Sequence, residues 1–437
     1  MKTRKTAAAC TPLLTLALLA TAACGLPGTD EETPGGSSAG FQGRGPITYV
    51  TGEDTTGVVQ KQLDRWNKEH PDEPVTFIEL PEAVDEQRRL MIQNAKTKSD
   101  AYTVLSLDVV WTAEFAANQW IERLPAEEFP LEEMLEPVVE TARHKDGLYG
   151  VPLISDGGIL FYRTDLLQAA GISEPPTTWA DMRNICDAVL ALPQAKGMSC
   201  YAGQFDQYEG LTVNFSEAVA SAGGIVVDHQ GQPHVDTPEA REGLDFLVGL
   251  FRDGLVPEGA LTYTEEDGRQ AFQQGKLVFI RQWPYLYAAA NATDGSSKVA
   301  GKFDVTTLPG LTRTGSSSLG GRNLALSSYA KNQATAIDFI KFITNEDNAR
   351  KNLKIGSNAP VYETLYDEPS AFTSHPYLPV LRESIIYAMP RPHVAEYGKV
   401  TSAIQKEVHA ALRGDKTSEQ ALADLQQALR SHTKRQP

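Results

Sequence analysis

Short apolar runs alternate with amphipathic helical stretches from Gly45 onward, and this alternation restricts the possible folds more than any other feature of the chain. Residues 47–50 (ITYV), 75–80 (VTFIEL) and 102–111 (YTVLSLDVVW) have the β-branched and aromatic content of buried strands. Between the first two runs, residues 57–70 carry apolar side chains on one helical face. Because a β-α-β-α order implies a parallel sheet covered by helices, the sequence predicts an α/β fold.

The amino terminus predicts export. Residues 1–23 begin with basic side chains, continue as an apolar stretch too short to span a membrane, and end in small residues, as signal peptides do. "TAAC" (21–24) resembles a bacterial lipobox in which Cys24 receives the lipid, although Thr21 stands where that motif prefers Leu. Plain secretion after signal cleavage is the alternative. Residues 24–45 are rich in Gly, Ser, Pro and Thr, which predicts a lipid-anchored flexible tether at the outer face of the cell membrane.

Length and charge limit the number of domains and the kind of partner. The chain has 437 residues, a length typical of two to three domains. Its formal net charge is -16, and it contains no basic block. Nucleic acid and anionic lipid both require clustered Lys and Arg, so neither is expected as a partner. A small neutral or polar ligand is favoured, and a monomer is expected.

Two cysteines remain once the signal peptide and Cys24 are set aside. Cys186 and Cys200 are close in sequence and lie in a chain predicted to be exported, so a disulfide is the simplest interpretation. A metal site is the less favoured alternative because no His stands near either Cys at ligand spacing. The nucleotide-binding, dinucleotide-binding, zinc-hydrolase and serine-hydrolase motifs are missing from the sequence, and no cofactor or catalytic residue is predicted.

Large aromatic side chains surround the predicted end of one buried strand. In "AFQQGKLVFIRQWPYLY" (271–287), residues 277–282 read as a strand that stops near Pro284, which lacks the N–H that a central ladder requires. Trp283 and Tyr285 flank that proline. Either these rings are core residues, or Trp283 projects into a cleft as a flat apolar surface with an N–H at its edge.

Five segments in order give the chain a family resemblance: "VLSLDVVW", "LYGVPLISDGGILFYRTDLL", "EEDGRQAFQQGKLVFIRQWPYLY", "LGGRNLALS" and "MPRPHVAEYGKV". The chain resembles the extracellular solute-binding lipoproteins of sugar ABC importers, most closely the actinobacterial trehalose/maltose (α-glucoside) binders. The resemblance implies the periplasmic-binding-protein-like fold, in which two α/β lobes joined by three hinge crossings close over a ligand cleft.

The resemblance also implies boundaries for the lobes. The N-terminal lobe is expected to comprise residues 46–154 and 311–365, and the C-terminal lobe residues 159–304 and 366–437. Hinge crossings are expected near 155–158, 308–310 and 366.

Ligand-binding residues are implied position by position. Asp108 and Asp156 match carboxylates that accept hydrogen bonds from sugar hydroxyls, although both could be simple strand-end caps. Arg391 matches an arginine that donates to sugar oxygens, with a salt bridge as the alternative. Glu53 and Asp54, which follow the first strand, match less closely.

The segment "LGGRNLALS" departs from many relatives, which place an aromatic residue after the glycine pair. Here Arg322 and Asn323 follow Gly321, and Arg322 could cover a ring or donate hydrogen bonds, so this segment does not identify the exact disaccharide. Gly321 would let the backbone approach the ligand closely. Trp283 matches the family's ligand-stacking aromatic, and Tyr285 is expected to help to line the cleft.

The predicted function is that of a substrate-binding lipoprotein, not an enzyme. It would capture a disaccharide or α-glucoside and deliver it to the permease subunits in the membrane. An exported glycan-acting enzyme is one alternative, because aromatic residues and carboxylates also line glycosidase clefts. The other alternative is a binder of a different polar solute, such as a polyol, a glycerophosphodiester or a peptide.

Overall fold

A computed structural model describes residues 40–54, 57–228 and 230–432. The predicted signal peptide (1–23) and the predicted lipidation site Cys24 lie outside the described residues. Within the described part of the chain, no helix combines the length and the apolar character that a membrane span requires.

The strands form two main sheets and one small hairpin. They are, in chain order, β1 (Ile47–Thr51), β2 (Val75–Glu79), β3 (Val104–Asp108), β4 (Arg143–His144), β5 (Gly147–Leu148), β6 (Val151–Gly157), β7 (Ile159–Arg163), β8 (Ser199–Ala202), β9 (Leu277–Gln282), β10 (Phe303–Thr306) and β11 (Leu319–Leu326).

Helices cover both sheets. They are α1 (Val58–Glu69), α2 (Val84–Lys96), α3 (Thr112–Ala117), α4 (Glu136–Thr141), α5 (Thr164–Ala169), α6 (Trp179–Leu190), α7 (Glu209–Ser221), α8 (Pro238–Arg252), α9 (Glu265–Gln273), α10 (Leu286–Ala290), α11 (Gln333–Thr344), α12 (Glu346–Gly356), α13 (Pro369–Ser374), α14 (Leu378–Ile386), α15 (Tyr397–Leu412) and α16 (Ser418–His432).

The first lobe is built on a five-stranded sheet with the order β2-β1-β3-β11-β6. Strands β1, β2 and β3 are parallel to one another, as the alternation of strands and helices predicts, whereas β11 runs antiparallel to both β3 and β6. Every residue of β3 is buried, which explains its nearly continuous apolar sequence. Helix α1 buries Leu63 and Trp66 on the face that the sequence marks as apolar.

The second lobe is built on a four-stranded sheet with the order β10-β7-β9-β8. Strand β9 lies between β7 and β8 and is buried along its whole length, as the apolar run 277–280 predicts. A disulfide joins Cys186 of α6 to Cys200 of β8, with their Cα atoms 5.4 Å apart. The predicted pairing is therefore present, and it ties a covering helix to the edge strand of this sheet.

Three segments connect the two lobes. The first linker is the turn from β6 into β7 at Gly157 and Gly158, and the second is residues 307–318, between β10 and β11. Helix α14 packs on β6, whereas α15 and α16 pack on α7 and α8 of the second lobe. Residues 387–396, between α14 and α15, are therefore taken as the third linker, and a crossing near residue 366 stays a prediction.

The end of the predicted tether contacts the first lobe. Arg44 forms ion pairs with Glu73 and Asp338, and the carbonyl oxygen of Gln42 accepts a hydrogen bond from the backbone N–H of Gln333. The folded region thus begins a few residues earlier than residue 46.

Candidate functional site

A cavity of about 300 Å³ lies between the two lobes. This volume is at the lower end of the range typical of small-molecule sites. The cavity is bounded by the carboxyl ends of strands in the first sheet, where ligands bind in open α/β folds. Nine of the predicted ligand-binding residues line it: Glu53, Asp54, Asp108, Asp156, Trp283, Tyr285, Gly321, Arg322 and Arg391.

Asn323 does not line the cavity, which corrects the expectation that it contacts ligand. Arg322 lines the cavity and Asn323 does not, and the pairing of β11 with β6 shifts register between these two residues. The side chain of Asn323 is fully buried, and its amide donates to the hydroxyl groups of Thr112 and Thr141, both at 3.1 Å. Asn323 therefore holds β11 to its own lobe.

The indole of Trp283 forms a flat wall of the cavity. The ring is half-buried at the end of β9, and one of its faces is covered by Arg281, whose Cζ lies 3.8 Å from the ring centroid. Gly320 makes room for the ring, because a Cβ at that position would lie 2.8 Å from an indole carbon. The arrangement places the indole beside Asp156, which pairs with Gly320 across the sheet.

The tyrosines near Trp283 have different environments. Tyr285 lines the cavity and donates its hydroxyl hydrogen to Glu266 at 2.9 Å. Tyr287 packs in the core, with its ring centroid 4.5 Å from that of Tyr377. The indole N–H of Trp283 points toward Glu265 at 3.5 Å. Trp283 and Tyr285 thus supply the aromatic surface of the site.

Asp156 presents a carboxylate to the cavity from the end of β6. Among the described residues, its side chain makes no hydrogen bond and no ion pair. Burial raises the pKa of Asp156 to about 7, against the opposing attraction of the Arg322 and Arg281 guanidinium groups. A carboxylate in such an environment is stabilised by hydrogen-bond donors, and a bound ligand can supply them.

Arg322 faces the same part of the cavity from β11. Its guanidinium forms no ion pair with the described residues, its Nη1 lacks a hydrogen-bond partner, and its Cζ lies 5.9 Å from the ring centroid of Trp111. Gly321 allows this placement, because its φ of +124° and the close approach of Ile154, 2.1 Å from where a Cβ would stand, both exclude a side chain. Arg322 and Asp156 therefore offer a donor group and an acceptor group beside Trp283.

Arg391 and Asp108 form a buried ion pair at the cavity wall. Nη2 of Arg391 donates to Asp108 at 2.7 Å, and Nη1 donates to Glu209 at 2.6 Å. Asp108 also caps the following turn by accepting from the backbone N–H of Val110 at 3.2 Å. The strand-end cap and the salt bridge, which the sequence left open as alternatives, are thus both present.

Sequence reasoning missed Glu209, the first residue of α7, which lines the cavity. Its carboxylate accepts hydrogen bonds from Tyr397 and Thr401 in addition to that from Arg391. Burial raises the pKa of Glu209 to about 7, although the Arg391 guanidinium lowers it. The only signal in the sequence was an acidic residue at the start of a helix. Such residues are common, and this one gives no information about its distant partner Arg391.

Asp54 and Glu53 occupy the rim near β1. The Asp54 carboxylate accepts from the backbone N–H groups of Val58 and Gln60, so it caps α1 while lining the cavity. Glu53 is exposed and has no hydrogen-bond or ion-pair partner among the described residues. Asp54 thus has a structural role in this structure, and Glu53 stands free at the entrance.

The cavity lining is acidic. It contains eight carboxylates and two guanidinium groups: Glu53, Asp54, Glu82, Asp108, Asp156, Glu209, Glu265 and Glu266, with Arg322 and Arg391. Across the cavity entrance, the hydroxyl of Thr264 donates to Glu82 at 3.3 Å, which links the lobes. No cluster of His, Cys, Asp and Glu among the described residues has the arrangement of a metal site.

The lobes also touch beside the cavity. The Asp85 carboxylate at the start of α2 accepts from the backbone N–H of Glu209 at 3.1 Å and from the amide of Gln405 at 3.3 Å. Burial raises the pKa of Asp85, and these donors lower it. The contacts join the first lobe to α7 and α15 of the second, as expected for a two-lobe binding protein.

Comparison with known proteins agrees with this architecture. Residues 52–350 match the family model of the bacterial extracellular solute-binding protein, and the chain belongs to that family. A probable ABC transporter-binding protein of Deinococcus radiodurans is 29% identical over 85% of this chain and 89% of its own length. A mannitol-binding protein of Pseudomonas aeruginosa is 26% identical over 90% of this chain and 94% of its own length.

Among solved structures, maltose-bound MalE3 of T. maritima superposes with a TM-score of 0.83. It is 33% identical and covers 88% of this chain and 99% of its own. These relatives are binding proteins rather than enzymes, so the expectation of a non-enzymatic protein holds and the alternative of a glycan-acting enzyme is set aside.

Proposed function

We propose that the protein is the extracytoplasmic substrate-binding lipoprotein of an ABC transporter that imports an α-linked disaccharide of the trehalose or maltose type. The observation that carries the proposal is the combination of an indole face with an unpaired carboxylate and an unpaired guanidinium, at Trp283, Asp156 and Arg322.

This combination matches the chemistry of a sugar ring. A pyranose has a face of C–H groups and a rim of hydroxyls, so its binding site needs both a flat apolar surface and polar partners. Trp283 provides the apolar surface. The Asp156 carboxylate accepts from hydroxyls, and the planar Arg322 guanidinium donates to hydroxyl or ring oxygens.

The relatives support a carbohydrate and define a second candidate. The T. maritima protein, which is 33% identical, was solved with maltose bound. The P. aeruginosa protein is named for mannitol, so a polyol is the second candidate. A polyol lacks the continuous C–H face of a ring and makes less use of the indole, which favours the disaccharide.

The cellular arrangement is part of the proposal. Cys24 would carry the lipid, and the monomeric protein would stay close to the permease that receives the sugar. A Cys24→Ser variant is expected to leave the membrane fraction and appear in the medium. If that variant remains with the membranes after its signal peptide is cleaved, the anchor lies elsewhere.

Calorimetry with the mature protein tests the ligand class. Trehalose, maltose, sucrose, mannitol and ribitol would be titrated separately, and an α-linked disaccharide is expected to bind most tightly and to be recovered unchanged. A Tyr287→Phe variant is the matched control for changes at Trp283, because Tyr287 belongs to the same aromatic segment but packs in the core. Tighter binding of a polyol would establish the second candidate, and hydrolysis of the sugar would refute a purely binding function.

A further inference from the structure

The indole that lines the cavity rests on a buried arginine. Arg281 is only 1% exposed, and its guanidinium lies against the face of Trp283, with Cζ 3.8 Å from the ring centroid. Such cation–π contacts gain strength where the cation is removed from water. The orientation of the indole therefore depends on the position of Arg281.

Glu217 of α7 fixes that position. Its two carboxylate oxygens accept from Nε of Arg281 at 2.8 Å and from Nη2 at 2.6 Å, a bidentate geometry that fixes the plane of the guanidinium. Gln204 accepts from the remaining nitrogen at 3.3 Å. Glu217 is 4% exposed, so the whole pair is excluded from solvent.

The same carboxylate reaches the second linker. It accepts a hydrogen bond from the backbone N–H of Ser318 at 3.0 Å. The adjacent Ser317 hydroxyl accepts from the backbone N–H of Gly158, in the first linker, at 2.5 Å. The backbone N–H of Met389, in the third linker, donates to the carbonyl oxygen of Ser317 at 2.7 Å. All three linkers therefore meet beside Glu217.

Gly158 brings the first linker into direct contact with the pair. A Cβ at this position would lie 2.4 Å from Nη2 of Arg281 and 2.7 Å from a carboxylate oxygen of Glu217. Any residue other than glycine would displace the ion pair or the linker. Rotation of the lobes about Gly158 would therefore press the backbone of this linker against the side chains of Arg281 and Glu217.

We propose that Arg281 and Glu217 are positioning residues that connect the ligand-stacking face of Trp283 to the three linkers, so that stacking of a sugar on the indole favours lobe closure. The inference rests on the proposed sugar-binding function. Compared with a well-packed apolar pair, a buried ion pair contributes little net stability, so stability alone does not account for it. The contacts of Arg281 and Glu217 join the indole of Trp283, on which the sugar would stack, to the three linkers between the lobes.

A double-mutant cycle tests the proposal. The paired variant Arg281→Met/Glu217→Gln removes both charges together, which avoids leaving one charge buried and unpaired, and Gln keeps the length of Glu217. It would be made in the native chain and in a Trp283→Ala background, and sugar affinity would be measured by calorimetry for all four proteins. Arg163→Met/Asp165→Asn is the matched control, since that pair lies at the end of the neighbouring strand β7 and outside the cavity lining.

The expected result is non-additive. In the native background the paired variant is expected to lose at least ~10-fold in sugar affinity, and in the Trp283→Ala background less than ~3-fold, because residues that act through one another do not contribute independently. Small-angle scattering is expected to show that sugar shrinks the native and control proteins, whereas it leaves the paired variant unchanged. Arg281→Lys, which keeps the charge and loses the planar stack, is expected to give an intermediate affinity.

Two results would overturn the proposal. Equal losses in both backgrounds would show that the pair acts independently of Trp283, and normal closure of the paired variant would show that the linkers do not depend on it. If the native protein binds no sugar or polyol, the proposed function itself fails and the inference fails with it. If the native protein binds sugar and the losses add, only the inference fails.

Discussion

Sugar affinity is expected to depend on pH through Asp156. Burial raises the pKa of this carboxyl from its ordinary value of 3.8 to about 7, against the opposing attraction of Arg322 and Arg281 and together with repulsion from Asp108. Only the ionised form accepts hydrogen bonds with both oxygens, so hydroxyl donors on a ligand stabilise it and lower its pKa. The affinity for sugar is therefore expected to rise as the pH increases past the pKa that Asp156 has in the ligand-free protein.

The size of the effect follows from the fraction ionised. With a pKa of about 7, roughly one tenth of the empty protein carries a charged Asp156 at pH 6, and nearly all of it does at pH 8. Binding that requires the charge is thus expected to be about 10-fold weaker at pH 6 than at pH 8. The raised pKa of Asp156 also affects the free energy of unfolding, with the opposite dependence on pH. Its stabilising contribution is complete below pH 3.8 and is lost as the pH rises through about 7.

Calorimetric titration of the mature protein with its sugar, at half-unit steps from pH 5.5 to 8.5, measures the effect. Glu209 also has a pKa of about 7, so the native profile alone does not assign the group. Asp156→Asn is expected to bind more weakly at pH 8 and to lose most of the pH dependence. A flat native profile, or an Asp156→Asn variant that keeps the full dependence, would refute the role given to Asp156.

The remaining predictions concern the indole, the disulfide and the hinge. Trp283→Ala is expected to weaken the binding of sugar by roughly 2–4 kcal/mol, as removal of a buried aromatic anchor does. The melting temperature of the ligand-free protein is expected to change little. A variant that melts early and still binds sugar normally would show that Trp283 is a core residue. Replacing Cys186 and Cys200 by Ala is expected to lower the free energy of unfolding in urea by roughly 3 kcal/mol, and an unchanged value would contradict the structural role. Saturating sugar is expected to reduce the radius of gyration of the native protein by rotation near residues 155–158, and an unchanged radius would contradict that motion.

Local patterns predicted the parts of the fold that depend on neighbouring residues. The β-branched and aromatic content of short apolar runs predicted β1, β2 and β3, and the isolated pair of cysteines predicted the disulfide that the structure contains. The strand ending at Trp283 was predicted from its apolar run and from Pro284. Each of these inferences used side chains that lie close together in the sequence.

The parts that could not be predicted depend on contacts between distant segments. Arg391 lies 182 positions from Glu209, and Arg281 lies 64 from Glu217, so no spacing rule joins either pair. The error over Asn323 has a local cause that the sequence does not reveal, because the pairing of β11 with β6 shifts register between Arg322 and Asn323.

The paired glycines after Asp156 lie in the expected hinge crossing at 155–158, and the contacts of the structure show why glycine stands there. Neither glycine has a positive φ in this structure, so the backbone conformation does not by itself require glycine at either position. What excludes a side chain is contact: a Cβ on Gly157 would lie 2.6 Å from the Ser384 hydroxyl, and one on Gly158 would meet Arg281. These glycines hold the linker against α14 and against the pair that supports Trp283. In the proposed role of Arg281 and Glu217, a linker packed in this way would transmit movement between the lobes and the site, which a merely flexible linker would not do.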